Sequence, residues 1–160
     1  MAFLIRRPFV YIIIGIVALV LVIQFSGILN PKPTIAITTS LSASSIKMNT
    51  NATLTVVIEN KGSKQYSVEY HIVGTFASDQ LQFYDKITSV VLTPSTTGNN
   101  YTINYSSPRK MNTGEQWTIS VYVKGLNPKA TAYAYTIYLE AWADGALADR
   151  KIVQLTVTQS

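Results

Sequence analysis

The sequence predicts an all-β protein, an antiparallel β-sandwich preceded by one N-terminal transmembrane helix. Three observations support this: a long apolar run near the N-terminus, alternation of apolar and polar residues in most later segments, and Gly, Pro, Asn and Asp between those segments. Beyond roughly the first 30 residues, about 130 remain, which is enough for one hydrophobic core. We therefore expect a single folded domain after the apolar run.

The apolar run extends from residue 9 to residue 29, with Gln24 and Ser26 near its end. A helix of this length, at about 1.5 Å per residue, crosses a hydrocarbon core of roughly 30 Å. A small domain has no interior in which to bury a helix that is apolar on all sides. The run is therefore predicted to be a transmembrane helix, in which Gly15 and Ala18 would permit close packing of another helix.

The charges beside this run predict its orientation, because Arg6 and Arg7 precede it. The positive-inside rule places residues 1–8 in the cytoplasm and residues 30–160 outside, as the extracytoplasmic domain of a single-pass cell-membrane protein. A cleaved signal peptide normally has a shorter apolar core and a small-x-small cleavage site, which "IQFSGILNP" does not supply. We interpret the run as an uncleaved signal anchor, with a cleaved signal as the alternative, and the arginine pair as topology charges.

The first clear strand patterns lie in the segments 53–60 and 65–73. "TLTVVIEN" has its apolar residues on one face, and "QYSVEYHIV" places Ser67, Glu69 and His71 on its polar face. Gly62 lies in the short connection between the two segments. Together they predict a β-hairpin.

Similar patterns follow along the rest of the chain, separated by turn residues. Seven to nine short strands in about 130 residues are typical of a β-sandwich, with a barrel as the alternative. The predicted strands span residues 34–40, 81–85, 86–92, 100–106, 116–123, 132–143 and 150–158. The expected core faces are those of Trp117, Ile119, Val121 and Val123 on one strand and of Tyr135, Ile137, Leu139 and Ala141 on another.

Composition excludes several classes of function. The formal net charge is +5, but the cations of the predicted domain are scattered, so no nucleic-acid-binding stripe is present. The chain contains no cysteine, which excludes disulfides, thiolate metal sites, a thiol nucleophile and a cupredoxin-type copper site.

The candidate reactive groups are few. His71, the single histidine, lies beside Glu69 on the polar face of its strand, and a metal site normally needs three or four ligands. We interpret His71 as a solvated surface residue. "DGALAD" brings Asp144 and Asp149 together without the calcium-loop pattern, so we interpret it as a hairpin turn. We expect no catalytic residue, no cofactor, no metal and no small-molecule substrate, and therefore no enzymatic activity.

Three sequons make the domain a candidate glycoprotein. Asn51, Asn100 and Asn104 each begin an N-x-Ser/Thr pattern at a predicted turn or strand edge outside the membrane.

Aromatic residues provide the candidate interaction surface. Several of them cannot all face the core, because their neighbours in the alternating pattern already occupy it, and exposed Tyr and Trp are enriched at protein interfaces. The alternative is ordinary half-buried tyrosine in a sheet. The residues are Tyr101, Tyr105, Tyr122, Tyr133, Tyr138 and Trp142.

A family resemblance rests on "NATLTVVIENKGSKQYSVEYHIVG", "MNTGEQWTISVYV" and "YTIYLEAWADGALADRKIVQLTV". These segments resemble the membrane-anchored immunoglobulin-like cell-envelope modules of archaea, in which a V-x-N-x-G turn separates the early strands. The resemblance covers about residues 50–158 and implies an immunoglobulin-like sandwich. The layout of one helix followed by one outward sandwich is similar to the archaellum stator proteins that tie a rotary filament to the surface layer.

The resemblance implies a non-catalytic, membrane-anchored domain that binds or anchors a cell-envelope partner, either the surface layer or a motility or filament apparatus. One alternative is an accessory subunit of a membrane-embedded respiratory or transport complex. Another is a filament subunit that exchanges strands with its neighbours. The expected partners are membrane lipid and envelope or membrane-complex proteins, with no nucleic acid.

Overall fold

Two β-sheets packed face to face form the domain, so the all-β sandwich predicted from the sequence is confirmed. The structure, a computed structural model, describes residues 34–97, 100–105 and 107–159. These residues form the strands β1 (Ile35–Leu41), β2 (Ser45–Lys47), β3 (Asn51–Asn60), β4 (Tyr66–Gly74), β5 (Leu81–Asp85), β6 (Ser95–Thr97), β7 (Asn100–Asn104), β8 (Arg109–Met111), β9 (Gln116–Gly125), β10 (Ala132–Ala143) and β11 (Ala146–Thr158).

The predicted transmembrane segment, residues 9–29, lies outside the described residues, and so do Gly15 and Ala18. Within the described part of the chain, no helix has the length and apolar character needed to cross a bilayer.

One sheet has four strands in the order β1-β3-β9-β5, and we call it the four-stranded sheet. The other, called the seven-stranded sheet, has the order β2-β11-β10-β4-β7-β6, with β8 paired to β4. The strands pair antiparallel except β2, which runs parallel to β11. The strand β1 packs against β11 and closes one side of the sandwich.

The core lies between the two sheets, where the alternating apolar residues meet. The predicted inward faces of β9 and β10 are confirmed, because each of their eight residues is buried. Burial of a Val, Leu or Ile side chain contributes about 1.5–3 kcal/mol to the stability of the fold. The neighbouring strands in the two sheets, β3 beside β9 and β4 beside β10, contribute Leu54, Val56, Ile58, Tyr70 and Ile72 to the same core.

The predicted hairpin between β3 and β4 is wrong. The strand β3 pairs with β1 and β9, whereas β4 pairs with β10, β7 and β8 in the other sheet. Residues 61–65 therefore cross from one sheet to the other. Local turn residues do not distinguish the two arrangements, because both need a short reversal between strands that each have one apolar face.

A buried asparagine organises this crossing. Asn60 has no exposed surface, and its Nδ2 donates to the carbonyl oxygens of Lys64 (2.9 Å) and Met111 (3.0 Å). Its Oδ1 accepts the N–H of Gly62 at 2.9 Å. A Cβ atom at Gly62 would lie 2.7 Å from Cε2 of Tyr66, so the position needs glycine. Asn60 and Gly62, the N-x-G part of the V-x-N-x-G motif, therefore hold the crossing between the sheets in place.

The segment 86–92, predicted as a strand, is instead a turn, after which the chain runs back beside β5 with only an isolated bridge between Val91 and Tyr84. Asp85 Oδ1 accepts the N–H groups of Ile87 (2.8 Å) and Thr88 (2.7 Å), and Ser89 has φ of 57°. Capping by the carboxylate favours the turn over continued strand pairing. The short strands β2, β6 and β8 were not predicted, because three residues give too little alternation to recognise.

The hairpin between β10 and β11 has a two-residue turn at Asp144 and Gly145, whose φ angles are 49° and 79°. Positive φ at both positions is typical of a type I′ turn, for which Asp-Gly is a favoured sequence. The interpretation of "DGALAD" as a hairpin turn is therefore confirmed.

Candidate functional site

A cluster of aromatic and charged side chains lies on the outer face of the seven-stranded sheet. On β10 the inward positions are occupied by Ile137, Leu139 and Ala141, so the alternate side chains point outward. Neighbouring strands supply further outward residues at the same level. We call this group the sheet-face cluster; it comprises Glu69, His71, Tyr138, Glu140, Trp142, Arg150 and Ile152.

A β-bulge determines which residues meet in the cluster. The pairing of β10 with β11 shifts by one residue between Ala141 and Trp142. Without this shift Asp149 would lie opposite Glu140, and two carboxylates would face each other. With it, Arg150 lies opposite Glu140, and Asp149 turns towards β1, where its Oδ2 accepts the N–H of Ile37 at 2.8 Å. The bulge thus converts a repulsive pair into an ion pair.

Glu140 is the centre of the cluster, with only 5% of its surface exposed. Its Oε1 accepts two bonds from Arg150, from Nε at 2.9 Å and from Nη2. Its Oε2 accepts the indole N–H of Trp142 at 2.9 Å. A buried carboxylate is stable only when it is paired and hydrogen-bonded, and these partners supply both conditions.

The rings of the cluster contact its charged side chains and one another. The Arg150 guanidinium lies over the ring of Tyr138, 5.4 Å from its centroid. The His71 ring lies 5.9 Å from that of Trp142, and His71 Nε2 is 3.3 Å from Glu69 Oε2. His71 is therefore a half-buried member of the cluster and not the solvated residue that the sequence suggested.

Ile152 extends the cluster with an exposed apolar surface. It lies opposite Tyr138 on β11, and 60% of its surface is exposed. Aromatic rings, an arginine and an exposed aliphatic side chain are groups that protein interfaces use, and rings already fixed in place lose little entropy on binding. The described residues contain no group of three or more His, Cys, Asp or Glu arranged to hold a metal ion.

The six aromatic residues predicted as one interaction surface lie in separate places. Tyr138 and Trp142 share the sheet-face cluster, and Tyr122 lies on the outer face of the four-stranded sheet, with Tyr84 opposite it on β5. The other three, which pack partly against the core, are Tyr101, Tyr105 and Tyr133. All six are half-buried.

Tyr105 connects the two sheets. It follows β7, and its hydroxyl donates to Asp85 Oδ2 at the end of β5. Burial, together with this hydrogen bond, raises the pKa of Tyr105 to about 12. The same hydrogen bond is the main cause that lowers the pKa of the Asp85 carboxyl, with further help from the backbone N–H of Thr88.

The sequons at Asn51 and Asn104 lie on different sheets. Asn51 is exposed at the start of β3 and faces Lys124 of β9. Asn104 is exposed at the end of β7, directly opposite His71, so it borders the sheet-face cluster. Asn100 begins β7.

An exposed aliphatic tip follows β5 and was not predicted from the sequence. Ile87 is 90% exposed, and Val90 and Val91 are exposed beside it. The alternation in "KITSVVL" placed these residues in a strand. The Asp85-capped turn instead presents them to solvent.

No protein-family model matches the chain, and none of the curated proteins matches it. The structure is similar to that of AvmM, which catalyzes macrocyclization in alchivemycin A biosynthesis, with a TM-score of 0.60, 9% identity and coverage of 80% of this chain and 90% of that chain. Weaker matches are the sporulation control protein Spo0M from Bacillus subtilis (TM-score 0.49, 11% identity, 79% and 50% coverage) and a FixG-related protein from Vibrio parahaemolyticus (0.47, 10%, 79% and 97%). At 9% identity, the likeness to AvmM shows a shared fold alone.

Proposed function

We propose that this chain is a non-catalytic, membrane-anchored protein whose extracytoplasmic β-sandwich binds a protein of the cell envelope through the sheet-face cluster. The observation that carries the proposal is the arrangement around Glu140. One buried carboxylate fixes Arg150 and Trp142, and Arg150 in turn lies over Tyr138, beside an exposed isoleucine.

The chemistry of the cluster favours binding over catalysis. Both carboxylate oxygens of Glu140 already accept hydrogen bonds, so the group is committed to holding its neighbours in place. Half-buried Trp and Tyr beside an arginine are typical of the residues that dominate interface energies. Such a surface gives a partner rigid rings to pack against.

The membrane part of the proposal rests on the apolar run at residues 9–29 and on the arginine pair before it. A single-pass anchor with its N-terminus in the cytoplasm would hold the sandwich outside the membrane. The immunoglobulin-like character and the archaeal envelope family are part of the same proposal and rest on the resemblance of three segments, at residues 51–74, 111–123 and 135–157. The partner is then a component of the surface layer or of a motility or filament apparatus.

The accessory-subunit alternative makes a different prediction about which proteins accompany the chain. If Gly15 and Ala18 pack against other membrane helices, respiratory or transport subunits should copurify. If the sheet-face cluster carries the interaction, surface-layer or filament proteins should copurify instead. Extraction in mild detergent followed by quantitative mass spectrometry distinguishes the two.

The decisive comparison uses variants of the full-length chain. Replacement of Tyr138 and Trp142 by Ala should remove the copurifying envelope protein. A matched control is Tyr122→Ala, because Tyr122 is also half-buried but lies on the outer face of the other sheet. Retention of the partner by the double variant, or its equal loss in the control, would contradict the proposal.

The predicted topology has its own test. Protease added to intact cells should remove the residues beyond about position 31, if the sandwich is outside the membrane. Survival of the whole chain would show that the domain is not exposed outside the cell.

A further inference from the structure

An apolar cavity opens between the two sheets, on the side of the sandwich where β5 and β7 approach each other. Its volume is about 330 Å³. The inner wall consists of core residues that are almost fully buried: Leu81, Phe83 and Ile103. The cavity therefore penetrates to the hydrophobic core.

Aromatic rings shape the interior of the cavity. The rings of Phe76 and Tyr101 are stacked with centroids 6.1 Å apart, and Phe83 lies 5.2 Å from Phe76. Gly74 allows this arrangement, because a Cβ atom at that position would lie 2.2 Å from Cε1 of Phe76. Any other residue at position 74 would push the Phe76 ring away from its place in the cavity wall.

The mouth of the cavity is apolar on one side and polar on the other. Val91, the last residue of the exposed tip, and Leu92 after it form the apolar side. Ser78 and Thr93, both exposed, supply neutral hydrogen-bonding groups. None of the described residues that line the cavity is charged.

These features define the chemistry of a ligand. Ligand pockets typically have volumes of roughly 300–1,000 Å³, apolar walls and a few polar groups that fix orientation. A charged head group would lose its hydration here without gaining a partner of opposite charge. An apolar body with a hydroxyl or carbonyl head satisfies both parts of the lining.

We propose that this cavity binds a neutral amphiphile with a short alkyl chain or a single ring and an uncharged polar head. The site is independent of the sheet-face cluster, since the cavity lies between the sheets and the cluster on an outer face. The sequence alone predicted no small-molecule site, so this proposal rests on the cavity that the structure shows.

Photolabelling of the full-length protein in phosphatidylcholine nanodiscs tests the proposal. The probe is octanol that carries a diazirine in its chain, and the adducts are mapped by mass spectrometry. We expect adducts within residues 76–83, 91–94 and 101–103. Unlabelled octanol should compete about tenfold or more better than octanoate or octylammonium, because the lining offers no counter-charge.

Two variants complete the test. Leu92→Trp fills the mouth of the cavity and should lower labelling of these segments severalfold. Ile152→Trp, the same kind of enlargement on an outer face, should leave labelling unchanged, and so should Trp142→Ala. Circular dichroism checks that each variant is folded; if Leu92→Trp is not, the competition series decides the outcome.

Three results would overturn the proposal. One is labelling confined to the apolar run or to residues 86–90, which would indicate partition into lipid or adsorption at the tip. Another is equal competition by charged and neutral octyl compounds. The third is undiminished labelling in a folded Leu92→Trp variant.

Discussion

The hydroxyl of Tyr105 donates a hydrogen bond to Oδ2 of Asp85 and so joins the seven-stranded sheet to the last residue of β5 in the four-stranded sheet. Asp85 is also the residue that caps the turn at 86–88 through its other oxygen. One carboxylate therefore holds both the turn and the approach of the two sheets on the side where the cavity opens. Loss of the contact should loosen both features.

Tyr105→Phe should destabilise the fold by about 1 kcal/mol at neutral pH, since Asp85 is only half-buried. The pKa of Asp85 is lower in the folded protein than its unfolded value of about 4. The ionised carboxylate therefore stabilises the fold above the unfolded pKa. This contribution is lost as the pH falls through the folded-state pKa. The difference between wild type and variant should therefore shrink in acid. Denaturant unfolding at neutral pH and near pH 3 checks this; a difference that is constant with pH would contradict it.

Tyr70→Phe, unlike Tyr105→Phe, should not lower stability. The Tyr70 hydroxyl is buried, and no described residue provides it with a hydrogen-bond partner. Burial raises the pKa of Tyr70 well above its usual value. Removal of an unsatisfied hydroxyl should leave the free energy of unfolding unchanged or raise it by up to about 1 kcal/mol. A loss of stability comparable to that of Tyr105→Phe would show that the hydroxyl has a partner.

Asn60→Ala should be among the more damaging single substitutions. The change leaves the carbonyl oxygens of Lys64 and Met111 and the N–H of Gly62 without their partner. A loss of about 1–3 kcal/mol is expected for each buried polar group that is left unpaired. Asn60→Asp should not rescue the fold, because the carboxylate accepts from Gly62 but cannot donate to the two carbonyls. Asn127→Ala, at an exposed position, is the control.

Side-chain alternation allowed most of the fold to be predicted, because it reports which face of a strand is buried. It correctly placed Val121 and Leu139 in the core and Glu69 and His71 outside. It does not report which strands pair. The residues between β3 and β4 therefore predicted a hairpin, although Asn60 and Gly62 organise a crossing between sheets.

The sheet-face cluster was only partly predictable for the same reason. The positions of Tyr138 and Trp142 follow from the pattern of β10, but the meeting of Glu140 with Arg150 depends on the bulge at Ala141. Without the bulge, the two-residue turn would have placed Asp149 opposite Glu140. The bulge is a property of the paired strands, and nothing in the local sequence indicates its position.

Glycosylation at Asn104 should interfere with binding of the proposed envelope partner, whereas glycosylation at Asn51 should not. Asn104 lies opposite His71 beside the sheet-face cluster, and Asn51 lies on the other sheet. Glycopeptide analysis should therefore find Asn104 unmodified in the partner-bound pool. Ser106→Ala, which removes the Asn104 sequon, should increase binding if that site is modified, and Asn51→Gln should not change it. Equal modification of Asn104 in bound and unbound protein would contradict the assignment of this face.

Arg150→Ala should cost more stability than the double change Arg150→Ala with Glu140→Gln. The single change leaves the Glu140 carboxylate, which is 5% exposed, with only Trp142 as a partner. An uncompensated buried charge costs several kcal/mol. Because the Arg150 side chain is half exposed, we expect the loss of stability to be about 1–3 kcal/mol. Glutamine at position 140 has no charge to compensate, and its carbonyl still accepts the indole N–H. Denaturant unfolding of both single variants and the double variant measures the coupling. A double variant as unstable as Arg150→Ala would mean that the charge of Glu140 does not organise the cluster. Partner binding should fall in all three variants, because the rings of Tyr138 and Trp142 lose the groups that hold them.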